Sequence, residues 1–168
     1  TYGTTSKTFT VTGSHGGTLS VAETTSTAAT VAISGSTVTI SNTGSLAAGT
    51  KVTVRVTSAQ TNTHNSAYKD YTLTVNKADR TITMDTTKSV TYGANGTLSF
   101  TYTGEDVTAT VSSATTSVAT ASMSDGSKGG TVTITPVKAG TSVLTVTVPA
   151  STNYNSKTAT CTVTVNRA

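Results

Sequence analysis

The side chains with which this chain could do chemistry are few: 2 histidines, 7 acidic residues, 1 cysteine and 6 tyrosines, with no tryptophan. A nucleophile-and-base arrangement needs a histidine beside a hydroxyl or thiol and a carboxylate that orients it. His15 stands in the turn-like run Gly13-Ser14-His15-Gly16-Gly17, and His64 in Asn62-Thr63-His64-Asn65. The second half of the chain has no histidine. No catalytic residue is assigned, and the expectation is a chain that is not an enzyme. A metal ion needs convergent ligands, and two histidines in different loops supply none, so no metal and no cofactor is expected. Calcium needs several oxygen ligands. Glu105-Asp106 after Gly104 is the best such pair, with Asp79 or Asp85 as possible neighbours, against the plainer reading of a solvated turn. Glu23 is the acid in the early strands that a Lys–Asn isopeptide crosslink would call for.

Cys161 falls in the alternation Cys161, Val163, Val165 and reads as a small buried hydrophobe. Of the tyrosines, Tyr71 reads as core by the same parity. Tyr154, between Asn153 and Asn155, reads either as an exposed contact for a sugar or as a corner tyrosine hydrogen-bonded to backbone. His64 occupies the corresponding place in the first half. Tyr154 and His64 are therefore the candidate ligand-binding residues.

These residues are set in a chain that is 34% hydrophobic and only 11% charged, with a net charge of +4. Threonine fills roughly a quarter of it. Threonine is β-branched and suits the exposed face of a strand, so the composition reads as folded and all-β. The basic residues form no run, which argues against a nucleic-acid partner. No stretch approaches the ~20 apolar residues of a membrane helix, so no membrane insertion is expected of this fragment.

An internal repeat sets the organisation. Asn65-Ser66 through Tyr71-Thr72-Leu73-Thr74-Val75-Asn76-Lys77-Ala78 recurs as Asn155-Ser156 through Cys161-Thr162-Val163-Thr164-Val165-Asn166-Arg167-Ala168, and Tyr2-Gly3 recurs as Tyr92-Gly93. Gly17-Thr18-Leu19 is matched with Gly96-Thr97-Leu98, and Ala48-Gly49-Thr50 with Ala139-Gly140-Thr141. Module 1 is expected over residues 1–78 and module 2 over 79–168. Only module 2 has a segment Arg80–Met84 before its Tyr-Gly, so module 1 is expected to lack its first strand.

Alternation of period two is strong at Val52, Val54, Val56, at Tyr71, Leu73, Val75, at Leu144, Val146, Val148 and at Cys161, Val163, Val165, with polar residues, mostly threonine, between. One face is apolar and the other polar, as in antiparallel strands with one side on a core. Further strands are expected at Phe9–Val11, Leu19–Val21, Val31–Ile33, Val38–Ile40, Ile82–Met84, Leu98–Tyr102, Val107–Val111, Val118–Met123 and Val132–Ile134. About seven short antiparallel strands per module predict two tandem immunoglobulin-like β-sandwiches.

Ser117-Val118-Ala119-Thr120-Ala121, Gly130-Thr131-Val132-Thr133-Ile134 and Lys138-Ala139-Gly140-Thr141-Ser142-Val143-Leu144-Thr145-Val146 resemble the bacterial immunoglobulin-like domain of group 2. Unit 1 departs from that pattern at Thr30–Ile40. The resemblance implies a non-catalytic spacer, stalk or adhesion module of a bacterial cell-surface or secreted protein, as in invasin and intimin relatives. Its implied location is extracellular or at the bacterial surface. Its implied partners are neighbouring modules and host or cell-wall glycans or proteins. Two other readings are carried: a glycan-binding accessory module of a secreted carbohydrate-active enzyme, and a phage structural protein.

Overall fold

The computed structural model describes residues 1–13 and 15–168, and the described residues form strands and loops without a helix. Two compact units divide the chain, Thr1–Ala78 and Asp79–Ala168.

Unit 1 has six strands: β1 (Ser6–Thr10), β2 (Leu19–Glu23), β3 (Thr30–Ser34), β4 (Thr37–Ser41), β5 (Lys51–Ser58) and β6 (Ala67–Thr74). They form two sheets of order β1-β4-β3 and β2-β5-β6. Unit 2 has eight: β7 (Ile82–Met84), β8 (Thr87–Thr91), β9 (Gly96–Tyr102), β10 (Thr110–Ser113), β11 (Ala119–Gly126), β12 (Gly129–Pro136), β13 (Gly140–Val148) and β14 (Lys157–Asn166). Its sheets have the order β11-β12-β9-β7 and β10-β13-β14-β8. This is an immunoglobulin-like arrangement, with the leading segment split between the two sheets.

The alternating residues are why these segments pair as they do. Val54 stands opposite Tyr71 in unit 1, and Leu144 opposite Cys161 in unit 2. A one-residue slip would turn each valine row to solvent. Val52, Val54, Leu144, Val146, Val148 and Cys161 are instead wholly buried. Each unit has its own hydrophobic cluster, one centred on Val38, Ile40, Val52 and Val54, the other on Leu98, Phe100, Leu144 and Val163. The intervening threonines face outward, or half outward, on strand after strand.

The six and eight strands agree with the expected seven or so in each module, and three expectations need correction. Strand β8 escapes the alternation rule because Val90 is its one apolar residue. The pairing is not wholly antiparallel either, since β8 runs parallel to β14, Thr87 in register with Thr162 and Thr91 with Asn166. The segment Val107–Val111 becomes a strand only at Thr110, because both backbone groups of Val107 are engaged by the Tyr102 hydroxyl at 2.6 and 3.0 Å. Finally, Leu19 is not the counterpart of Leu98. Leu19 lies on β2, paired with β5, whereas Leu98 lies on β9 opposite Val132. The residue in the equivalent place is Phe9, opposite Val38. Small-residue tripeptides recur in such a chain through composition alone.

Glycine matters where β8 meets β9. A Cβ on Gly96 would come within 2.3 Å of Val90 Cγ1, so glycine there lets the leading strand close onto the sandwich.

Leu144→Ala removes a large, fully buried side chain from the unit 2 cluster. It is expected to destabilise that unit by about 2–5 kcal/mol. Because the clusters are separate, denaturation followed by residue-resolved NMR should show the loss in unit 2 while unit 1 keeps its midpoint.

Candidate functional site

The loop between β13 and β14 carries Tyr154, and the loop between β5 and β6 carries His64. The two loops are built alike. Ser151 N–H donates to the Tyr154 carbonyl at 3.0 Å, and Thr61 N–H donates to the His64 carbonyl at 2.9 Å. What surrounds the two side chains differs.

Tyr154 is half-buried and its ring lies against Arg80, whose guanidinium carbon is 5.1 Å from the Tyr154 ring centre and 5.6 Å from that of Tyr102. Arg80 is only 2% exposed. Its Nη1 donates to the carbonyls of Thr103 (3.0 Å) and Glu105 (2.7 Å), and its Nη2 to Ser151 Oγ (2.8 Å). Nε finds no hydrogen-bond partner among the described residues. A buried cation is costly unless its charge is answered. Here two carbonyl dipoles, a hydroxyl and the faces of two aromatic rings answer it. Gly104 makes room for the arrangement. Its φ is +100°, and a Cβ there would come within 2.9 Å of both Arg80 Nη1 and the Tyr154 ring.

The acidic pair next to it belongs to the same fastening. Glu105 accepts from Asn153 Nδ2 at 2.5 Å and from Asn153 N–H at 3.3 Å. Asp106 accepts from Tyr102 Oη at 3.0 Å and from Lys128 N–H at 3.1 Å. Asp79 accepts from Asn155 Nδ2 at 2.8 Å. Glu105, Asp106 and Asp79 are therefore each committed to protein donors, and the described residues hold no cluster of three or more metal-ligating side chains. The Ser151 hydroxyl, followed by the Asn153 donors and the Arg80 charge, holds Glu105 below its usual 4.5. The Lys128 amide, followed by the Tyr102 and Ser127 hydroxyls, holds Asp106 below 3.8. Tyr102 is a backbone-bonded tyrosine, its hydroxyl spanning the Val107 backbone. Burial pushes the Tyr102 phenol upward.

His64 is exposed and stacks on His15, with ring centres 3.9 Å apart and planes 9° from parallel. Its Nδ1 lies 2.8 Å from the Thr63 hydroxyl. Glu23 closes the turn after β2, accepting from Thr25 N–H (2.9 Å), Thr27 N–H (3.3 Å) and the Thr25 hydroxyl. Cys161 is wholly buried, and burial raises its thiol pKa. On the outer face of β5 and β6, Arg55 makes a two-pronged pair with Asp70 at 2.8 Å and lies 4.0 Å above the ring of Tyr68, which is 64% exposed. Sequence reasoning passed over Arg80, whose one signal was a lone arginine just ahead of an apolar strand, and took Tyr68 only together with the other tyrosines as a surface that could hold a carbohydrate.

No family model matches the chain, and no curated protein matches it. Among solved structures, domains 4 and 5 of the S-layer protein SbsC are similar at 23% identity, over 88% of this chain and 70% of that one, with a TM-score of 0.46. The I9–I11 tandem of titin is similar at 16% identity over 99% and 62%, with a TM-score of 0.41. An endo-fucoidan hydrolase of glycoside hydrolase family 107 is similar at 13% identity over 97% of this chain and 26% of that one, with a TM-score of 0.37. The chain thus spans only part of the length of each. The fold assignment, two immunoglobulin-like β-sandwiches, rests on strand order and the two cores.

Gly104→Ala is expected to destabilise unit 2 by about 1–3 kcal/mol from the backbone alone, with chemical denaturation as the measure. Glu105 and Asp106 set a pH dependence. Their folded pKa values are depressed, so their contribution is complete above the unfolded values and is lost as pH falls through the folded ones. The urea midpoint of unit 2 should hold from about pH 7 to 5 and drop below about pH 4.5, and the drop should be shallower in Glu105→Gln.

Proposed function

We propose that the chain is a non-catalytic spacer or stalk segment of a bacterial cell-surface or secreted protein, built from modules of the group 2 bacterial immunoglobulin-like type. The observation that carries this reading is the parallel pairing of β8 with β14. The chain comes into unit 2 through Asp79–Thr91 and leaves through Lys157–Arg167, and these two strands run side by side in one direction. Tension on the two ends of the unit pulls them in opposite senses, along the ladder rather than across it. Its hydrogen bonds must then fail together instead of one by one. Arg80 adds a second anchor upstream, tying the incoming chain to the carbonyls of Thr103 and Glu105 and to Ser151. A module that transmits force between its neighbours needs this geometry; a catalytic one does not.

A second reading, adhesion to glycans, draws on Tyr68, which presents an exposed ring beside the Arg55–Asp70 pair.

Single-molecule pulling on the whole chain tests the first reading. Unit 2 is expected to rupture in one step, at higher force than unit 1. Thr86 C=O and Tyr92 N–H face β14, so the even-numbered residues between them do too. Lys88→Pro therefore removes a ladder donor and should bring the unit 2 force down towards that of unit 1. Equal low forces for both units in the unaltered chain would count against a stalk. A glycan array tests the second reading: specific binding abolished by Tyr68→Ala would move the assignment to a carbohydrate-binding module.

A further inference from the structure

Unit 1 is open on the side that two strands close in unit 2. There, β7 lies along β9, with Ile82 opposite Tyr102 and Met84 opposite Phe100, and β8 lies along β14. Ile82, Met84 and Val90 pack onto the core. Beneath them Leu98, Cys161 and Val163 are no more than 2% exposed. The residues in their places in unit 1 are Phe9, Tyr71 and Leu73, and all three are only half-buried. They line an apolar groove of about 390 Å³ together with Lys7, Ile40 and Thr72. Further hollows continue it past Val11, Leu19 and Val56 in one direction and past Thr4, Val75 and Asn76 in the other. The groove follows β1 and β6 along the course that β7 and β8 take in unit 2.

The backbone on this side is set for a partner strand. Thr53 N–H donates to Thr25 Oγ1 and its carbonyl accepts from Thr24 N–H, so its backbone groups face β2. In an antiparallel ladder the residue opposite then faces the other way. That residue is Thr72, whose amide points across the open side. Thr162, its equivalent in unit 2, donates across that side to the Thr86 carbonyl at 2.8 Å. The end of the path is also in place. Tyr2 N–H donates to the Asn76 carbonyl at 2.7 Å, as Tyr92 N–H donates to the Asn166 carbonyl at 2.9 Å.

We propose that this groove is a strand-acceptor site. Its occupant is an extended segment with the pattern of Arg80–Thr91: apolar at the third, fifth and eleventh positions, running parallel to β6 and leading into Tyr2. Phe9 and Tyr71, 4.9 Å apart between ring centres, shield the core while the groove is empty. A second copy pairing edge to edge is disfavoured by Lys69. This residue is exposed but sits at a core-face position of β6 opposite Val56, where unit 2 has Ala159 opposite Val146, and a charge at such a position of an edge strand opposes such pairing.

The test grafts a copy of the sequence Asp79–Thr91 ahead of Thr1 in the full chain. A control graft replaces the copies of Ile82, Met84 and Val90 by serine. The graft is expected to slow hydrogen exchange at the Thr72 and Thr74 amides at least tenfold and to raise the unit 1 melting midpoint by about 5 °C. The protein should stay monomeric by light scattering, and the serine graft should do neither. A synthetic Asp79–Thr91 peptide added to the ungrafted chain should shift the same amide resonances, which keeps the proposal falsifiable if the graft folds poorly. Unchanged exchange at Thr72 in a folded graft overturns the proposal. So does an absent peptide response when the graft does not fold, and so does protection that arrives only with dimers.

Discussion

The two sheets of each unit share an interior but little backbone hydrogen bonding, so side-chain burial is the dominant force that holds them face to face. That burial succeeds only where the interior is covered at its rims as well as across its faces. In unit 2 the leading segment covers one rim by changing sheets at Asp85–Thr86, first lying beside β9 and then beside β14. The dryness of Leu98, Cys161 and Val163 follows from this crossing. Unit 1 meets the same constraint with bulk: Phe9 and Tyr71 stand where unit 2 has leucine and cysteine, and their rings cover what no strand covers.

The sheet faces were legible in the sequence because period-two alternation is a direct record of burial. Val52, Val54 and Val56, or Leu144, Val146 and Val148, declare an inside and an outside without knowledge of any neighbour. Strand β8 was not legible for the same reason in reverse. It buries one side chain, Val90, and its place is set by a parallel partner more than seventy residues later. The repeat between Tyr71–Ala78 and Cys161–Ala168 survives into structure as equivalent strands, whereas the match of Leu19 with Leu98 does not. Long repeats that keep parity carry structural information; tripeptides of glycine, threonine and leucine do not.

The polar network was the least legible part. Arg80 gives little pattern, since its partners are carbonyl oxygens, a hydroxyl and ring faces drawn from two separate loops and the end of β9. Glu105 and Asp106 read from sequence as a pair of ligand oxygens because two adjacent acids in a turn look available. Their actual partners are Asn153 and the Lys128 amide, far away in the chain, and the nearby hydroxyl of Tyr102 at the end of β9. Acidity that reads as a vacant site is here the seam that joins the loops at one end of the sandwich. Tyr154 belongs to that seam through Arg80, while His64, in the matching loop of unit 1, rests on the ring of His15 instead.

The single thiol of the chain lies in the driest part of unit 2. In oxidising surroundings, a lone exposed cysteine would join copies of a protein through chance disulfides. Sealed under the crossing strand and kept protonated by its surroundings, Cys161 is out of reach of oxidants and alkylating agents until unit 2 opens. Its rate of modification therefore serves as an internal clock for that opening.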